Sequence, residues 1–328
     1  MQRGAKRFGL WGAVVVWGLV GLAPAQSPIT RPSISEEISP VEELSVETRD
    51  GQTAIGVARK PPGPGPFPAV VIIHGGLEPY PSSILRAQAL NGVTMTRFLA
   101  AGYVTVIPTY RSRSRDPEAP DAILDLLAII EETRGRPYVD GKSIVIYGCS
   151  GGADLALELA GMADLAAIVA EEPPGILFTG MFNNDTPKAG ARYTASDVMP
   201  LLIDPERASY TPEVRKTTEE KIERIGCPVL IAQGDQPFRI GGYEADQNVI
   251  TNEILIPELQ AAGKEVEVVL YPGQYHCFGM DRRFNAADHV DAAMKKFFSD
   301  MHSFFVKRLA TRPEPLEESL VEKVALGN

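Results

Sequence analysis

The segment over residues 143–160, SIVIYGCSGGADLALELA, constrains the fold of this chain more than any other part of it. It begins with a short apolar run at residues 143–147, and from Asp154 onward its apolar residues recur at helical spacing. Between the two runs stands Gly-Cys-Ser-Gly-Gly, a turn that only small residues allow. The segment therefore predicts a strand, a sharp turn and a helix, with Ser150 at the tip of the turn.

This arrangement has a recognised chemical use. In the pattern G-x-S-x-G the serine oxygen is pushed out above the end of the sheet, and the next backbone N–H, that of Gly151, is free to meet a developing oxyanion. A second oxyanion donor is expected from the loop after an earlier strand. The apolar run at residues 69–73 ends in His74-Gly75-Gly76, which makes Gly76 the candidate for that donor, and His74 is expected to brace the loop.

The rest of the chain alternates between the two periodicities. Strands are expected at residues 41–46, 53–59, 69–73, 103–108, 166–170, 227–232 and 265–271, and helices at 84–101, 121–134, 252–262 and 286–309. Most of these strands are apolar throughout, as strands covered on both faces are. The fold class is therefore predicted to be α/β, with a mostly parallel central sheet and helices on both faces.

Composition and the N-terminus limit the function. The net charge is −10 and no basic run is present, which argues against nucleic acid and against an anionic membrane surface as partners. Residues 1–25 have a positive start, an apolar run and an Ala-Pro-Ala site, so they predict a signal peptide. The mature protein is then expected to be secreted or periplasmic, with no stable membrane span after the signal is removed; the alternative is that the segment is kept as an uncleaved anchor.

The domain boundaries follow from composition. Residues 26–40 are rich in Pro, Ser and Thr and predict a linker, and residues 41–310 predict the catalytic domain. Residues 175–220 lack a strand pattern and predict a small lid near the site. Residues 311–328 are charged and predict a disordered tail.

One of the four histidines is placed to act as a base. His276 lies just after the last core strand and follows Ser150 in the chain, in the order nucleophile, acid, histidine. Imidazole can remove the proton of a serine hydroxyl near neutral pH.

The acid is less clearly specified. Asp235 follows the strand at residues 227–232, but Pro237 occupies the position where an Asp is expected, and Asp246 is a further choice on the same segment. Glu171 and Glu172 end the neighbouring strand, on the edge that faces the serine. Glu172 is the first choice and Asp235 the second.

From residue 41 to residue 309 the chain resembles the α/β-hydrolase superfamily. The HGG turn and the G-x-S-x-G motif followed by Asp-Leu-Ala resemble hormone-sensitive-lipase-like esterases. The order of elements is similar to dienelactone hydrolases and to the catalytic domain of prolyl oligopeptidases. The peptidases favour G-x-S-x-G-G, whereas Ala153 stands at the last position here.

A narrower resemblance concerns Cys149, which precedes the serine, and Cys277, which follows the histidine. This Cys-Ser…His-Cys pattern is similar to tannases, feruloyl esterases and glucuronoyl esterases, and it implies a Cys149–Cys277 disulfide. Some glucuronoyl esterases place a Glu a little over twenty residues after the serine, and Glu172 stands 22 residues after Ser150. The arginine that follows their serine is replaced by Gly151, and the large tannase lid is absent.

These features predict an exported serine hydrolase that cleaves carboxylic esters through an acyl-enzyme. The alternatives are a prolyl oligopeptidase-type peptidase and a non-catalytic homologue that binds a ligand. A small-molecule ester is the expected partner. No metal or organic cofactor is expected, because no cluster of potential ligands has metal spacing.

Overall fold

A computed structural model describes residues 29–112, 121–181, 195–204, 210–240, 243–280 and 290–326 of the chain. The predicted signal peptide at residues 1–25 lies outside these ranges. Twelve strands fall within them: β1 (Ile29–Ser33), β2 (Glu42–Glu47), β3 (Thr53–Arg59), β4 (Phe67–Ile73), β5 (Val104–Pro108), β6 (Val139–Cys149), β7 (Ala167–Glu171), β8 (Val229–Gly234), β9 (Phe238–Ile240), β10 (Tyr243–Ala245), β11 (Val266–Tyr271) and β12 (Glu322–Leu326).

Eight of these strands form one sheet in the order β11-β8-β7-β6-β4-β5-β3-β2. From β11 to β5 all neighbours are parallel, whereas β3 and β2 add an antiparallel edge. The carboxyl ends of β4, β6, β7, β8 and β11 therefore meet at one edge of the sheet. This is the edge where open α/β sheets carry their ligand sites.

Nine helices accompany these strands in the described ranges. They are α1 (Ser82–Asn91), α2 (Val93–Ala100), α3 (Asp121–Arg134), α4 (Gly151–Leu159), α5 (Ile176–Thr179), α6 (Ala195–Ile203), α7 (Pro212–Arg224), α8 (Ile256–Ala261) and α9 (Val290–Val306). A π-helical turn (Thr251–Leu255) leads into α8. None of the helices in the described part of the chain is long and apolar enough to cross a membrane.

The alternation of side chains along β4 explains the two layers of helices. Val71 and Ile73 are buried in one core cluster with residues of α3, α4 and α8. Val70 and Ile72 are buried in a second cluster, with residues of α1, α2 and α9. Successive residues of a strand point to opposite faces, so an apolar run needs cover on both sides. The predicted α/β architecture is confirmed.

One predicted helix is in fact two. Residues 84–101 were expected to be continuous, but α1 and α2 are separated at Gly92, whose backbone is extended (φ −64°, ψ 131°). A Cβ at Gly92 would lie 2.6 Å from the carbonyl oxygen of Gln88 and 2.5 Å from the sulfur of Met95. The Asn91-Gly92 pair is a turn signal, and it ends α1 here.

The expectation of a linker at residues 26–40 needs correction. Ile34 and Ser39 are buried, and the guanidinium of Arg59, itself 1% exposed, donates hydrogen bonds to the carbonyl oxygens of Ile34, Ser35, Ser39 and Ala89. Several carbonyl acceptors compensate for the burial of this charge. The segment is thereby fixed to α1.

The C-terminal segment also differs from the predicted disordered tail at residues 311–328. β12 pairs with β1 in an antiparallel two-stranded sheet. On the way to it, the N–H of Thr311 donates to Ser143 Oγ and the N–H of Leu316 donates to the carbonyl of Ala100. Pairing between the two ends of the chain satisfies backbone groups that neither segment could satisfy alone.

The predicted lid at residues 175–220 is described only in part. Within it, α5 and α6 share a separate apolar cluster that includes Leu177, Val198 and Leu202. α7 begins inside the predicted range, but its Ile222 is buried in the main core, so α7 covers the sheet.

Candidate active site

Ser150 occupies the turn between β6 and α4, with a backbone of positive φ (φ 53°, ψ −124°). A non-glycine residue is strained in this conformation, and the surrounding structure must hold it there. The Ser150 N–H donates to the carbonyl of Glu171 at the end of β7, 2.9 Å away. The turn is thus tied to the neighbouring strand.

The glycines on either side of Ser150 are required by close backbone approaches. A Cβ at Gly148 would lie 2.2 Å from the carbonyl oxygen of Gly152, and one at Gly152 would lie 2.4 Å from that of His74. Real Cβ atoms do not approach this closely. The two glycines of the pattern are therefore required by close packing of the turn against the start of α4 and against the end of β4.

The predicted oxyanion donors lie side by side. Gly151 is the first residue of α4, so its N–H has no acceptor within the helix. A Cβ on it would lie 2.4 Å from the carbonyl oxygen of Gly76, which places the two loops in contact. Gly76 itself has φ 88°, and both residues line the same cavity as Ser150.

His74 braces the Gly76 loop, as expected. Its ring is stacked between Tyr80 and Tyr110, with centroids 3.8 and 4.4 Å away, and its Nδ1 lies 2.8 Å from the carbonyl oxygen of Gly75. The Tyr110 hydroxyl donates to the carbonyl oxygens of His74 and Gly76. Burial lowers the pKa of His74 to about 4, so the ring is neutral and serves as a packing element.

His276 follows β11 and is connected to the serine turn by a covalent bond. Cys149 and Cys277 form a disulfide, with Cα atoms 5.9 Å apart and 128 residues apart in sequence. Cys149 directly precedes Ser150 and Cys277 directly follows His276, so the bond ties together the two loops that carry these side chains. This is the disulfide implied by the resemblance; Cys227 is a buried free thiol.

Glu172 is the candidate acid that lies against His276. Its Oε2 is 3.8 Å from His276 Nδ1, and its side chain is fully buried. The N–H of Gly234 donates to Oε1, and Gln247 Nε2 donates to Oε2 at 2.7 Å. These two N–H donors compensate for the loss of water around the buried side chain.

The other three candidate acids point elsewhere. Asp235 is exposed, and its Oδ1 accepts from the N–H of Gly273 and from Gln236. Asp246 is exposed and accepts from the N–H of Asn248 in a local turn. Glu171 is buried, but it binds the Tyr147 hydroxyl and the N–H of Gly279. The structure therefore places Glu172, and not Asp235, next to His276.

Strained backbone is concentrated at this site. Among the described residues, the non-glycine residues with positive φ are Ser150, Glu172 and Cys277, at 53°, 51° and 57°. Each of them is a site residue or its immediate neighbour. Residues in this region cost of order 1–3 kcal/mol each and cluster where function over-determines the structure.

Sequence analysis missed two residues of the site, one in the hairpin formed by β9 and β10 and one in the turn that follows β10. The Phe238 ring lies 4.7 Å from that of His276, and the Phe238 N–H donates to Gln247 Oε1. Gln247, 2% exposed, thus connects the hairpin to Glu172. Two short apolar-containing runs around Gly241-Gly242 are a hairpin signal, but nothing in the sequence indicates which side chain turns toward the acid.

One cavity of about 620 Å³ is lined by the turn at Ser150, by the loop that carries Gly76, by His276 and by Gln247. One part of its wall is apolar and comes from the α5 and α6 cluster, through Leu177, Val198 and Leu202. The size and the mostly apolar lining are typical of small-molecule sites. Within the described ranges, no group of three or more His, Cys, Asp or Glu side chains could hold a metal ion.

The sheet topology, with Ser150 at the turn after β6 and with His276 and Glu172 at the same edge of the sheet, is that of the α/β-hydrolase fold. Comparison with protein-family models agrees with this class. Residues 57–182 match the BD-FAE model, and residues 204–309 match the dienelactone hydrolase family. The second match confirms the resemblance to dienelactone hydrolases seen in the sequence.

Two curated relatives are similar over much of the chain. Mitochondrial acyl-coenzyme A thioesterase 2 of Mus musculus is 24% identical in an alignment of 289 residues that covers 77% of this chain and 58% of the relative. The Rattus norvegicus protein of the same name is 24% identical over 70% of this chain and 49% of the relative. The chain thus spans about half of the length of the curated relatives that it matches.

Solved structures share the fold at low identity. A thermostable esterase from Pseudomonas putida superposes with a TM-score of 0.54 and 19% identity, covering 85% of this chain and 86% of that one. An acylaminoacyl peptidase has a TM-score of 0.57 and 17% identity, covering 86% of this chain and 44% of that one.

Proposed function

We propose that this chain is an exported serine hydrolase that cleaves carboxylic esters through an acyl-enzyme intermediate. The observation that carries the proposal is the position of Ser150. It stands at a strained turn that lines one cavity with His276, and Glu172 lies behind the imidazole. This is the nucleophile, base and orienting acid arrangement of acyl transfer.

The reaction follows from this geometry in two half-reactions. Ser150 Oγ attacks the ester carbonyl while His276 Nε2 takes its proton, and Glu172 stabilises the imidazolium from the Nδ1 side. The N–H groups of Gly76 and Gly151 hold the oxyanion. When the tetrahedral intermediate collapses, the C–O bond to the alcohol breaks and His276 returns the proton to the leaving oxygen.

Deacylation repeats these steps with water as the nucleophile. His276 removes a proton from the water, the hydroxide attacks the acyl carbonyl, and Ser150 leaves with the proton that the imidazole gives back. The products are a carboxylic acid and the free enzyme. None of these steps requires a metal or an organic cofactor.

The class of substrate is supported by the cavity and by the names of similar proteins. Apolar walls from α5 and α6 suit an uncharged acyl or alcohol group. The similar proteins include an esterase and a thioesterase, which act on related acyl carbonyls. A small-molecule carboxylic ester is therefore the proposed substrate.

The proposal is tested by active-site labelling combined with turnover. A fluorophosphonate probe should label wild-type protein at Ser150, and p-nitrophenyl butyrate should be hydrolysed. Ser150→Ala should abolish labelling and lower kcat by at least about 10³-fold. His276→Gln should behave similarly, whereas His302→Gln, on α9 against Tyr103, should stay close to wild type.

The same preparation separates the alternatives. The acylaminoacyl peptidase similarity makes aminoacyl p-nitroanilides the appropriate second substrate. Cleavage of the anilides without cleavage of esters would replace the esterase proposal by a peptidase. Folded wild-type protein that is neither labelled nor active would indicate a ligand-binding homologue.

Export is proposed from the sequence of residues 1–25 and is supported by the Cys149–Cys277 disulfide, since such bonds persist in oxidising compartments. Cell fractionation and N-terminal sequencing test it. The expected result is protein outside the cytoplasm that begins at Gln26. Full-length protein in the cytoplasm would contradict it.

A further inference from the structure

Glu171 is a buried carboxyl group that the proposed reaction does not use. It is the last residue of β7, directly precedes Glu172, and is fully inaccessible to solvent. Its Oε2 accepts a hydrogen bond of 2.5 Å from the Tyr147 hydroxyl, and its Oε1 accepts one of 2.6 Å from the N–H of Gly279. A buried carboxyl group is retained at such a position only when its partners compensate for the loss of water.

The partner Gly279 belongs to the segment that carries His276, residues 272–280, here called the histidine loop. Gly279 lies three residues after His276 and two after Cys277. Its carbonyl oxygen accepts a hydrogen bond of 2.5 Å from Thr94 Oγ1. A Cβ at Gly279 would lie 2.2 Å from the Phe297 ring, so the backbone has no room to shift toward α9.

Glu171 also contacts the serine turn through its backbone. Its carbonyl oxygen accepts the N–H of Ser150 at 2.9 Å. One residue therefore connects both halves of the catalytic pair: the main chain holds the turn of Ser150, and the side chain holds the histidine loop. The disulfide ties the same two loops at a different point, so the loops are fixed at two places.

We propose that Glu171 is a positioning residue, which holds the histidine loop at a fixed position relative to Ser150 by accepting a hydrogen bond from the N–H of Gly279. It acts through the loop and does not touch the substrate. The inference rests on the proposed function, in which His276 must lie within reach of the serine oxygen. Small displacements of a catalytic group are sufficient to lower the rate by orders of magnitude.

The hydrogen-bond pattern indicates which substitutions are informative. Burial raises the pKa of Glu171 to about 8, with Glu172 adding to the shift, so the group is neutral at pH 7. In the neutral carboxyl group one oxygen carries the proton, so the bond with Tyr147 runs in the reverse direction, from the carboxyl O–H to the Tyr147 oxygen. A glutamine reproduces that arrangement: its oxygen accepts from the N–H of Gly279 and its NH₂ donates to the Tyr147 oxygen. Leucine fills similar space but leaves the Gly279 N–H without an acceptor, and aspartate withdraws the oxygens by one methylene.

The experiment compares Glu171→Gln, Glu171→Leu and Glu171→Asp by fluorophosphonate labelling rate and by kcat and KM on p-nitrophenyl butyrate. Glu171→Gln should stay close to wild type. Glu171→Leu and Glu171→Asp should lower kcat and the labelling rate about tenfold or more with little change in KM. Thr133→Val, which removes a buried hydrogen bond on α3 far from this edge of the sheet, is the control for general loss of stability.

The outcomes separate the two proposals. Wild-type protein that is not labelled overturns the proposed function, whatever the variants do. Wild-type labelling together with wild-type rates in folded Glu171→Leu overturns the positioning role. If Glu171→Leu does not fold, Glu171→Asp decides: a reduced kcat with unchanged KM supports the inference, and wild-type kinetics refutes it.

Discussion

Glu172 Oε2 lies 3.8 Å from His276 Nδ1. The same oxygen accepts a 2.7 Å hydrogen bond from Gln247, and among the described residues the buried Nδ1 has no hydrogen-bond partner of its own. The carboxylate is thus hydrogen-bonded to Gln247, whereas its distance to the imidazole is longer than a hydrogen bond. Catalytic hydrogen bonds are often long in unliganded enzymes and shorten when substrate binds.

If Glu172 orients His276, its loss should be far more damaging than the loss of Asp235. Glu172→Gln keeps the shape of the side chain but cannot stabilise the imidazolium, so kcat should fall by about 10³–10⁴-fold. Asp235→Asn changes an exposed group that faces Gly273, and its kcat should remain close to wild type. Equal losses of kcat in the two variants, measured on p-nitrophenyl butyrate, would show that Glu172 is not the acid that orients His276.

Gln247, two residues after the end of β10, should support the same carboxylate. Gln247→Leu removes the donor to Glu172 Oε2 and the acceptor for the Phe238 N–H, so we expect kcat to fall about tenfold with a small change in KM. Gln236→Leu is the matched control, since Gln236 bonds to exposed Asp235. If the kcat of Gln247→Leu equals that of the control, Gln247 does not contribute to the site.

The disulfide should affect stability and activity together. Titration of unfolded, unreduced mature protein should give one thiol, from Cys227, and three thiols would show that the bond is absent. The folded protein should not react at Cys227, because burial raises the pKa of this thiol to about 12.

Replacing both bonded cysteines by serine opens a long loop. In the chain-entropy model this lowers the free energy of unfolding by about 4–5 kcal/mol. Urea unfolding measures it, with Cys227→Ala as the control. The double variant should also lose activity at temperatures where it is still folded, because the two loops are no longer tied at Cys149 and Cys277. Full activity in the folded double variant would argue that the bond contributes only to stability.

The apolar wall from α6 should limit the length of the acyl group that the cavity accepts. Leu202 is 8% exposed and lines the cavity, whereas its neighbour Ile203 is 38% exposed and does not. Leu202→Trp should lower kcat/KM for octanoate relative to acetate esters about tenfold or more, and Ile203→Trp should leave this ratio unchanged. An unchanged ratio in Leu202→Trp would place the acyl group elsewhere in the cavity.

Local patterns explain which of these features could be predicted from the sequence. Gly148 is required by the carbonyl of Gly152 four residues away, so the turn at Ser150 was predictable from a local pattern, although the approach that requires Gly152 comes from His74, far away in the chain. The position of Glu172 relative to His276 depends on strand order. Pro237 at the expected Asp position, the place of Glu172 at a strand end that faces the serine and the resemblance to known esterases together favoured it over Asp235. Gln247 was missed because its partner lies 75 residues away. The pairing of β1 with β12 is likewise a long-range contact between two short segments with little apolar pattern of their own.

The last prediction concerns how stability depends on pH through Glu171. Burial, with a contribution from Glu172, raises its pKa from 4.5 to about 8, while Tyr147, its hydroxyl partner, stays protonated because burial raises its pKa well above 10. Between pH 4.5 and about pH 8 the Glu171 carboxyl group keeps its proton in the folded protein, whereas it has released that proton in the unfolded chain. The stabilisation is therefore complete below pH 4.5 and is lost as the pH rises toward 8.

Glu171→Gln removes this titration but keeps both hydrogen bonds. Urea unfolding at pH 5 and pH 8 should show a larger loss of stability in wild type than in the variant, by roughly 3–4 kcal/mol. Other groups titrate equally in both proteins and cancel in the comparison. The same loss in wild type and variant would mean that Glu171 is ionised throughout this range, and that the histidine loop is held by a carboxylate.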